Sequence, residues 1–450
     1  MFDLVILRGQ LVRPNGIECA NIGVAGGLVR SIAGPGEDLP GHQVVEAHDK
    51  LILPGLVDAH VHIPGFVLSK HLDNFDSASK AAAAGGVTTV MLMPTDDPRT
   101  VTPLYFRQKV ESGTNSSRVD FAVQAMVSPG TETLRDLADL GPISYEIFLS
   151  YGGSPRFIIG SDDYELARAL RLVRDVDGIA GVTPHSPTLN TRLTEEHRED
   201  PTPTVRTIAA TRPILSEALG ISRACTAAAE LGTRLHIRAV STRSALALLR
   251  QFRETVSLSS EVMSHHLLFN ADDALRMGSY GVITPPLRGH TDQAALLESV
   301  RNGELDMVVS DHSPALRAEK ERGQRNIWDS PPGMTGLQTL CLSMMALVDQ
   351  GKLGWTDLVS VCCEGPARSF GLYPRKGALA VGSDADIVIV DPSLTTMIRD
   401  EDQYSRANYT TLAGTTVSGA IERVLLRGQT IYHAGAFAAE PSGRFVRPGS

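Results

Sequence analysis

Hydrophobic and polar positions alternate along this chain in two distinct rhythms. The middle repeats short apolar runs separated by longer stretches with helical spacing, the pattern of a parallel sheet covered by helices. Eight such runs are candidate strands: Leu56–Ile63, Val87–Met93, Val119–Ala125, Ile143–Leu149, Ile179–His185, Arg234–Val240, Ser257–Val262 and Asp306–Ser310. Between them, the Ala-rich Ala78–Ala84 ends at Gly85-Gly86, and Ile214–Leu231 ends at Gly232, both helix stops just ahead of a strand. The polar stretch Leu189–Pro203 reads as a long exposed loop. Eight strand–helix units over this length predict a (β/α)₈ barrel with long loops. A doubly wound open sheet is the alternative, but no G-x-G-x-x-G follows the early strands.

The ends follow the other rhythm. Val5-Ile6-Leu7-Arg8-Gly9-Gln10 is echoed by Val424-Leu425-Leu426-Arg427-Gly428-Gln429, each a strand running into a glycine turn. After Pro374, the segment Ala385-Asp386-Ile387-Val388-Ile389-Val390-Asp391-Pro392 reads as a further buried strand between turns. Both termini are therefore expected to build one small β domain, residues 1–53 and 375–450, with the barrel of residues 54–374 inserted between them.

Composition narrows the function without disclosing it. The 450 residues carry 42 Lys+Arg against 51 Asp+Glu, a net charge of −9. That balance argues against a nucleic-acid partner, which requires a basic footprint. No apolar run approaches the ~18 residues needed to span a bilayer, and the first residues lack the positive charge of a signal peptide. Five cysteines without a C-x-x-C indicate neither a disulfide framework nor a zinc knuckle. A cytoplasmic location is expected.

Chemistry concentrates at the predicted strand ends, where barrels of this kind place their sites. The first strand ends Asp58-Ala59-His60-Val61-His62, and alternation aims both imidazoles the same way. The fifth ends in His185, and the eighth runs apolar into Asp311-His312. A carboxylate at the end of a buried strand is costly unless it is paired or metal-bound. His60, His62, His185 and Asp311 form a donor set suited to zinc or a similar divalent cation. Taken singly, the H-x-H pair also fits a surface pair on an edge strand, and Asp311 a helix cap or salt-bridge partner.

Here the chain resembles the cyclic amidohydrolases: hydantoinase/dihydropyrimidinase, allantoinase and dihydroorotase. The likeness rests on Gly55-Leu56-Val57-Asp58-Ala59-His60-Val61-His62, Ala82 to Val90, Thr284-Pro285-Pro286-Leu287-Arg288, Ser310-Asp311-His312-Ser313-Pro314, Gly333-Met334-Thr335-Gly336-Leu337, and Pro366-Ala367-Arg368 through Asp384-Ala385-Asp386. It implies a TIM-like barrel with a composite β-sandwich from both termini, a homotetramer or dimer, and a binuclear metal centre bridged by a carboxylated lysine. Two positions depart from that centre. Glu146 stands where the family has its lysine, and Ala239 where it has a histidine on the sixth strand. Glu146 is a permanent carboxylate, but its oxygens end roughly 3–4 Å short of a lysine carbamate's. Ala239 has no ligating atom. His236, three residues earlier, is expected to face the opposite side of its strand and to serve packing. His265 or His266, just past the seventh strand, is a less favoured substitute.

The expected site is thus one tightly bound metal, most simply Zn²⁺, held by His60, His62 and Asp311 with Glu146 or His185, and a second metal weak or lost. By the resemblance, Asp311 is the general acid–base, Tyr151 donates to the developing oxyanion, and Thr284 and Thr335 mark backbone groups that hold the cyclic amide. Dihydroorotase is disfavoured, because Pro64 and Thr95 replace the Arg and Asn that bind the dihydroorotate carboxylate. A neutral hydantoin, dihydropyrimidine or imide ring fits better, in the opening or the closing direction. The competing reading is a non-catalytic homologue that serves as an assembly or interaction partner.

Overall fold

The computed structural model describes residues 1–63, 72–96, 98–150 and 158–449. Eight parallel strands form the barrel: Leu56–Val61, Val87–Leu92, Asp120–Val123, Tyr145–Phe148, Ile179–Thr183, Arg234–Ile237, Leu258–Met263 and Met307–Val309. Every one falls within a segment predicted from its apolar run or within a residue or two of it. The third strand joins the two halves of the wall. Asp120–Val123 pairs with the second strand, and its continuation Ala125–Met126 pairs with the fourth. The first and eighth strands meet through a parallel bridge between Val61 and His312. All six residues of the first strand are buried, as expected for a sheet covered on both faces.

Local chemistry explains the helices that position the strands. Helix Phe75–Ala84 starts at an Asn74 capping box and ends at Gly85, and Gly86 takes φ 78°. Helix Ile214–Leu231 stops where Gly232 adopts φ 69°. The predicted loop at 189–203 is instead largely a helix, Pro187–His197. Ser186 caps it by accepting from Leu189 N, and Pro187 supplies a preset first turn. Only Asn190 of that helix is buried, so its sequence carries almost no apolar periodicity to announce it.

The termini share one nine-stranded sheet. Leu51–Pro54, just before the barrel, pairs antiparallel with Ile387–Val390, just after it. The repeated Arg-Gly echo has a common geometry, with Arg8 at φ 57° and Arg427 at φ 48°. Arg427 and Lys376 both bind Asp120 of the third barrel strand, and Lys376 also reaches Asp386 at 2.7 Å and Asp384 at 2.9 Å. With Arg375 on Asp384 at 3.1 Å, three clustered carboxylates meet three cations, which fasten the terminal sheet to the barrel. Among the described residues, no helix is long and apolar enough to cross a membrane.

Candidate metal centre

His60, His62 and Asp311 converge at the mouth of the barrel, with one ligand atom from each within 4.8 Å of the others. His60 Nε2 lies 3.3 Å and His62 Nε2 3.2 Å from the same Asp311 Oδ1. The opposite ring nitrogens are already engaged. His60 Nδ1 lies 2.5 Å from Glu261 Oε1, and His62 Nδ1 lies 2.8 Å from Thr95 Oγ1. Such outer partners fix ring orientation and aim the Nε2 lone pairs inward, as in histidine–metal sites. Two imidazoles and a carboxylate, all buried, therefore suit a divalent cation by donor chemistry.

The strand ends are held in register by Asp58. Its Oδ1 accepts from Ser310 N at 3.1 Å and from His60 N at 3.3 Å, tying the first strand to the eighth. Burial raises its carboxyl to about 6, against the pull of these donors. Asp311 adopts φ 44°, a left-handed conformation that aspartate tolerates better than most side chains. Burial would lift its carboxyl, but His60 and His62 outweigh that and lower it. Burial pulls the His60 imidazole down, yet Glu261 and Asp311 carry it up to about 9. His62 is lowered, chiefly by burial.

Glu146 is not part of this cluster. Its Oε1 accepts from Arg238 Nε at 3.0 Å and Nη2 at 2.6 Å, with both side chains fully buried. Arg238 also donates through Nη1 to Glu261 Oε2 at 2.8 Å and to Ala59 O at 3.2 Å, and through Nη2 to Gln124 Oε1. All five guanidinium N–H groups are thus used. The expected metal ligand is instead an ion-pair partner, and Arg238 takes the charge that a cation would have supplied. Gly181 makes this possible: a Cβ there would stand 1.7 Å from Glu146 Oε1.

The remaining predicted residues separate in the same way. Ala239 lines the cavity in front of His60, His62 and Asp311, at φ 54°. That positive φ breaks the strand's alternation, so the parity argument for His236 does not hold. His236 lies inside the barrel floor, bound to Glu261 Oε2 at 3.0 Å and Ser259 Oγ at 2.8 Å, and packs on Phe370. It serves the network and supplies no ligand to the cluster. His185 is buried with neither ring nitrogen hydrogen-bonded. Burial, with the nearby charges of Arg288 and Arg212, drives its imidazole down to about 3. His265 is held at about 4, mainly by burial, and stays outside the cluster. Thr284 lines the cavity, and the Thr335 hydroxyl donates to Tyr409 O at 3.0 Å, which leaves the expectation for the backbone at that position untouched. Tyr151 lies outside the described residues. Sequence reasoning missed Arg238, Glu261 and Arg212. A charged residue within or just after a predicted barrel strand was the available signal for the first two.

Comparison with known proteins sets this geometry in a family. The amidohydrolase family model matches residues 51–431. An allantoinase of Rubrobacter xylanophilus is 35% identical, over 99% of this chain and 98% of its own length. A dihydroorotase of Methanosarcina acetivorans is 32% identical, over 99% of this chain and 96% of its own length. Among solved structures, the L-hydantoinase (dihydropyrimidinase) from Arthrobacter aurescens superposes with a TM-score of 0.95 at 31% identity, covering 99% of this chain and 100% of that one.

Proposed function

The chain belongs to the amidohydrolase family, and from that premise we propose that it opens, or in reverse closes, a cyclic amide or imide ring of the hydantoin, allantoin or dihydropyrimidine type at a single-metal centre. The observation that carries this reading is the convergence of His60 Nε2 and His62 Nε2 on one Asp311 oxygen, with both outer nitrogens restrained. His60, His62 and Asp311 would hold the metal, for which zinc is the simplest candidate given the donor types. When bound, such a cation polarises the amide carbonyl and makes water nucleophilic near neutral pH.

The chain's own groups supply the rest. Asp311 accepts the proton of the attacking water and returns it to the departing ring nitrogen. Thr284 lines the cavity wall, and its backbone would hold the amide of the ring. Water is limited by the apolar Met93, Phe148 and Pro285 on the same wall. A second metal is disfavoured for three reasons: Glu146 is spent on Arg238, Ala239 offers no donor, and His185 faces two guanidinium charges.

Metal analysis of protein purified without chelator, followed by assays on hydantoin, allantoin and dihydrouracil with wild type and Asp311→Asn, tests this reading. About one equivalent of metal and ring opening abolished by the substitution are expected. Two full equivalents would sink the single-metal centre. No turnover of any ring would favour the non-catalytic interaction partner instead.

A further inference from the structure

Beside the metal cavity lies a second chamber of ≈ 310 Å³, and the two share Ser150, Arg212 and Thr284. Its walls include His185, Asn190 and Arg198. Arg212 sits between helices Val205–Ala210 and Ile214–Leu231. Its guanidinium donates to Thr211 Oγ1 at 2.6 Å and is largely buried, yet no carboxylate of the described residues pairs with it. Glu195, on the same chamber, is turned to Arg192 at 3.3 Å, and Asp311 is engaged by the two histidines. The residues outside the described set contain one acidic side chain, Asp97. A guanidinium does not shed its proton, so burial without a counter-charge is costly unless a ligand supplies one.

Two neighbours point the same way. His185, 1% exposed, lines the chamber with both ring nitrogens unpartnered, and as a neutral ring it offers one N–H. Arg288 donates to the backbone oxygen of Arg212 at 2.8 Å, and its Nη2 stands 3.7 Å from Glu217 Oε2, so Glu217 is committed to Arg288 rather than to Arg212.

We propose that this chamber binds an anionic substituent, a carboxylate, on the cyclic amide whose ring lies at His60, His62 and Asp311, with Arg212 as the specificity-determining residue. The inference rests on the ring-opening reading above and narrows its substrate class. It also revises the expectation of a neutral substrate. Arg212 supplies the counter-charge on the wall of the chamber.

The test compares hydantoin-5-acetic acid with its neutral amide, hydantoin-5-acetamide, on wild type, Arg212→Gln and Arg212→Lys. Wild type is expected to prefer the acid. Arg212→Gln should lower the acid-to-amide ratio of kcat/KM by ~10- to 100-fold, mainly through KM, and Arg212→Lys should recover part of it. A ratio unchanged by Arg212→Gln, or a wild type that opens the amide as readily as the acid, overturns the proposal. Calorimetric titration with the two compounds separates the two readings. Acid bound more tightly than amide, without ring opening, keeps the subsite and sinks the hydrolytic reading. Acid bound no more tightly than amide sinks the subsite.

Discussion

Arg238 holds Glu146 through two donors, at 3.0 and 2.6 Å, on neighbouring parts of the barrel floor where neither side chain touches solvent. The same guanidinium reaches Glu261, which in turn holds His60 Nδ1. One arginine therefore links Glu146 to the His60 ring at the mouth of the barrel. Arg238 uses all its donors in this buried network although Glu146 Oε2 accepts none, and removing the arginine strands both carboxylates.

Arg238→Met should consequently destabilise the fold by about 3–5 kcal/mol, because it leaves two buried carboxylates without their cation. Glu146→Gln should cost less, since Arg238 retains Glu261, Gln124 and Ala59 O. Denaturant midpoints of the two variants check the order. Equal losses would contradict the network as described.

Much of this arrangement was legible in the residues, and some was not. The H-x-H pair was readable because a strand alternates with period two, and the barrel strands because each is an apolar run between helix stops. Arg238 was not, since its partners lie 92 and 23 residues away and only folding brings them together. His236 is the packing residue it was expected to be, but on the interior side of its strand, because the positive φ at Ala239 interrupts the alternation used to place it. Helix Pro187–His197 escaped notice because it buries almost nothing, although Ser186-Pro187 is a recognisable start. The cationic chamber was invisible for a related reason: nothing in the sequence around Arg212 shows that it shares a wall with His185 and Arg198.

Metal dependence should follow the single-centre geometry. Protein stripped with chelator should regain full activity with about one equivalent of zinc, and added bicarbonate should change nothing, because no lysine carbamate has to form at position 146. Titration of metal against activity measures both. A rise with bicarbonate would contradict the role assigned to Glu146.

Glu261 touches no substrate-facing cavity, yet it orients His60 at 2.5 Å. Glu261→Gln should weaken metal affinity by ~10- to 100-fold, the usual effect of losing an outer partner of a ligating histidine. Competition with a chromogenic chelator reads the constant directly. Unchanged affinity would leave Glu261 a purely structural member of the network.

Stability should also carry a pH signature far from the metal. Lys320 is buried, donating to Pro331 O at 2.7 Å and Val282 O at 3.2 Å, and burial without a counter-charge pulls its ammonium down to about 7. In the unfolded chain the group returns to its ordinary value of 10.5. Between these two pH values the unfolded state holds one more proton than the native state, so stability rises with pH across that window. The contribution approaches about 1.4 kcal/mol per pH unit in mid-window and fades below pH 7, where both states are charged. Lys320→Met removes the titrating group, so the wild-type minus variant difference in unfolding free energy should climb from pH 7 to pH 10. Denaturant melts of both proteins over that range supply the difference, and a flat difference would mean that Lys320 keeps its proton in the fold.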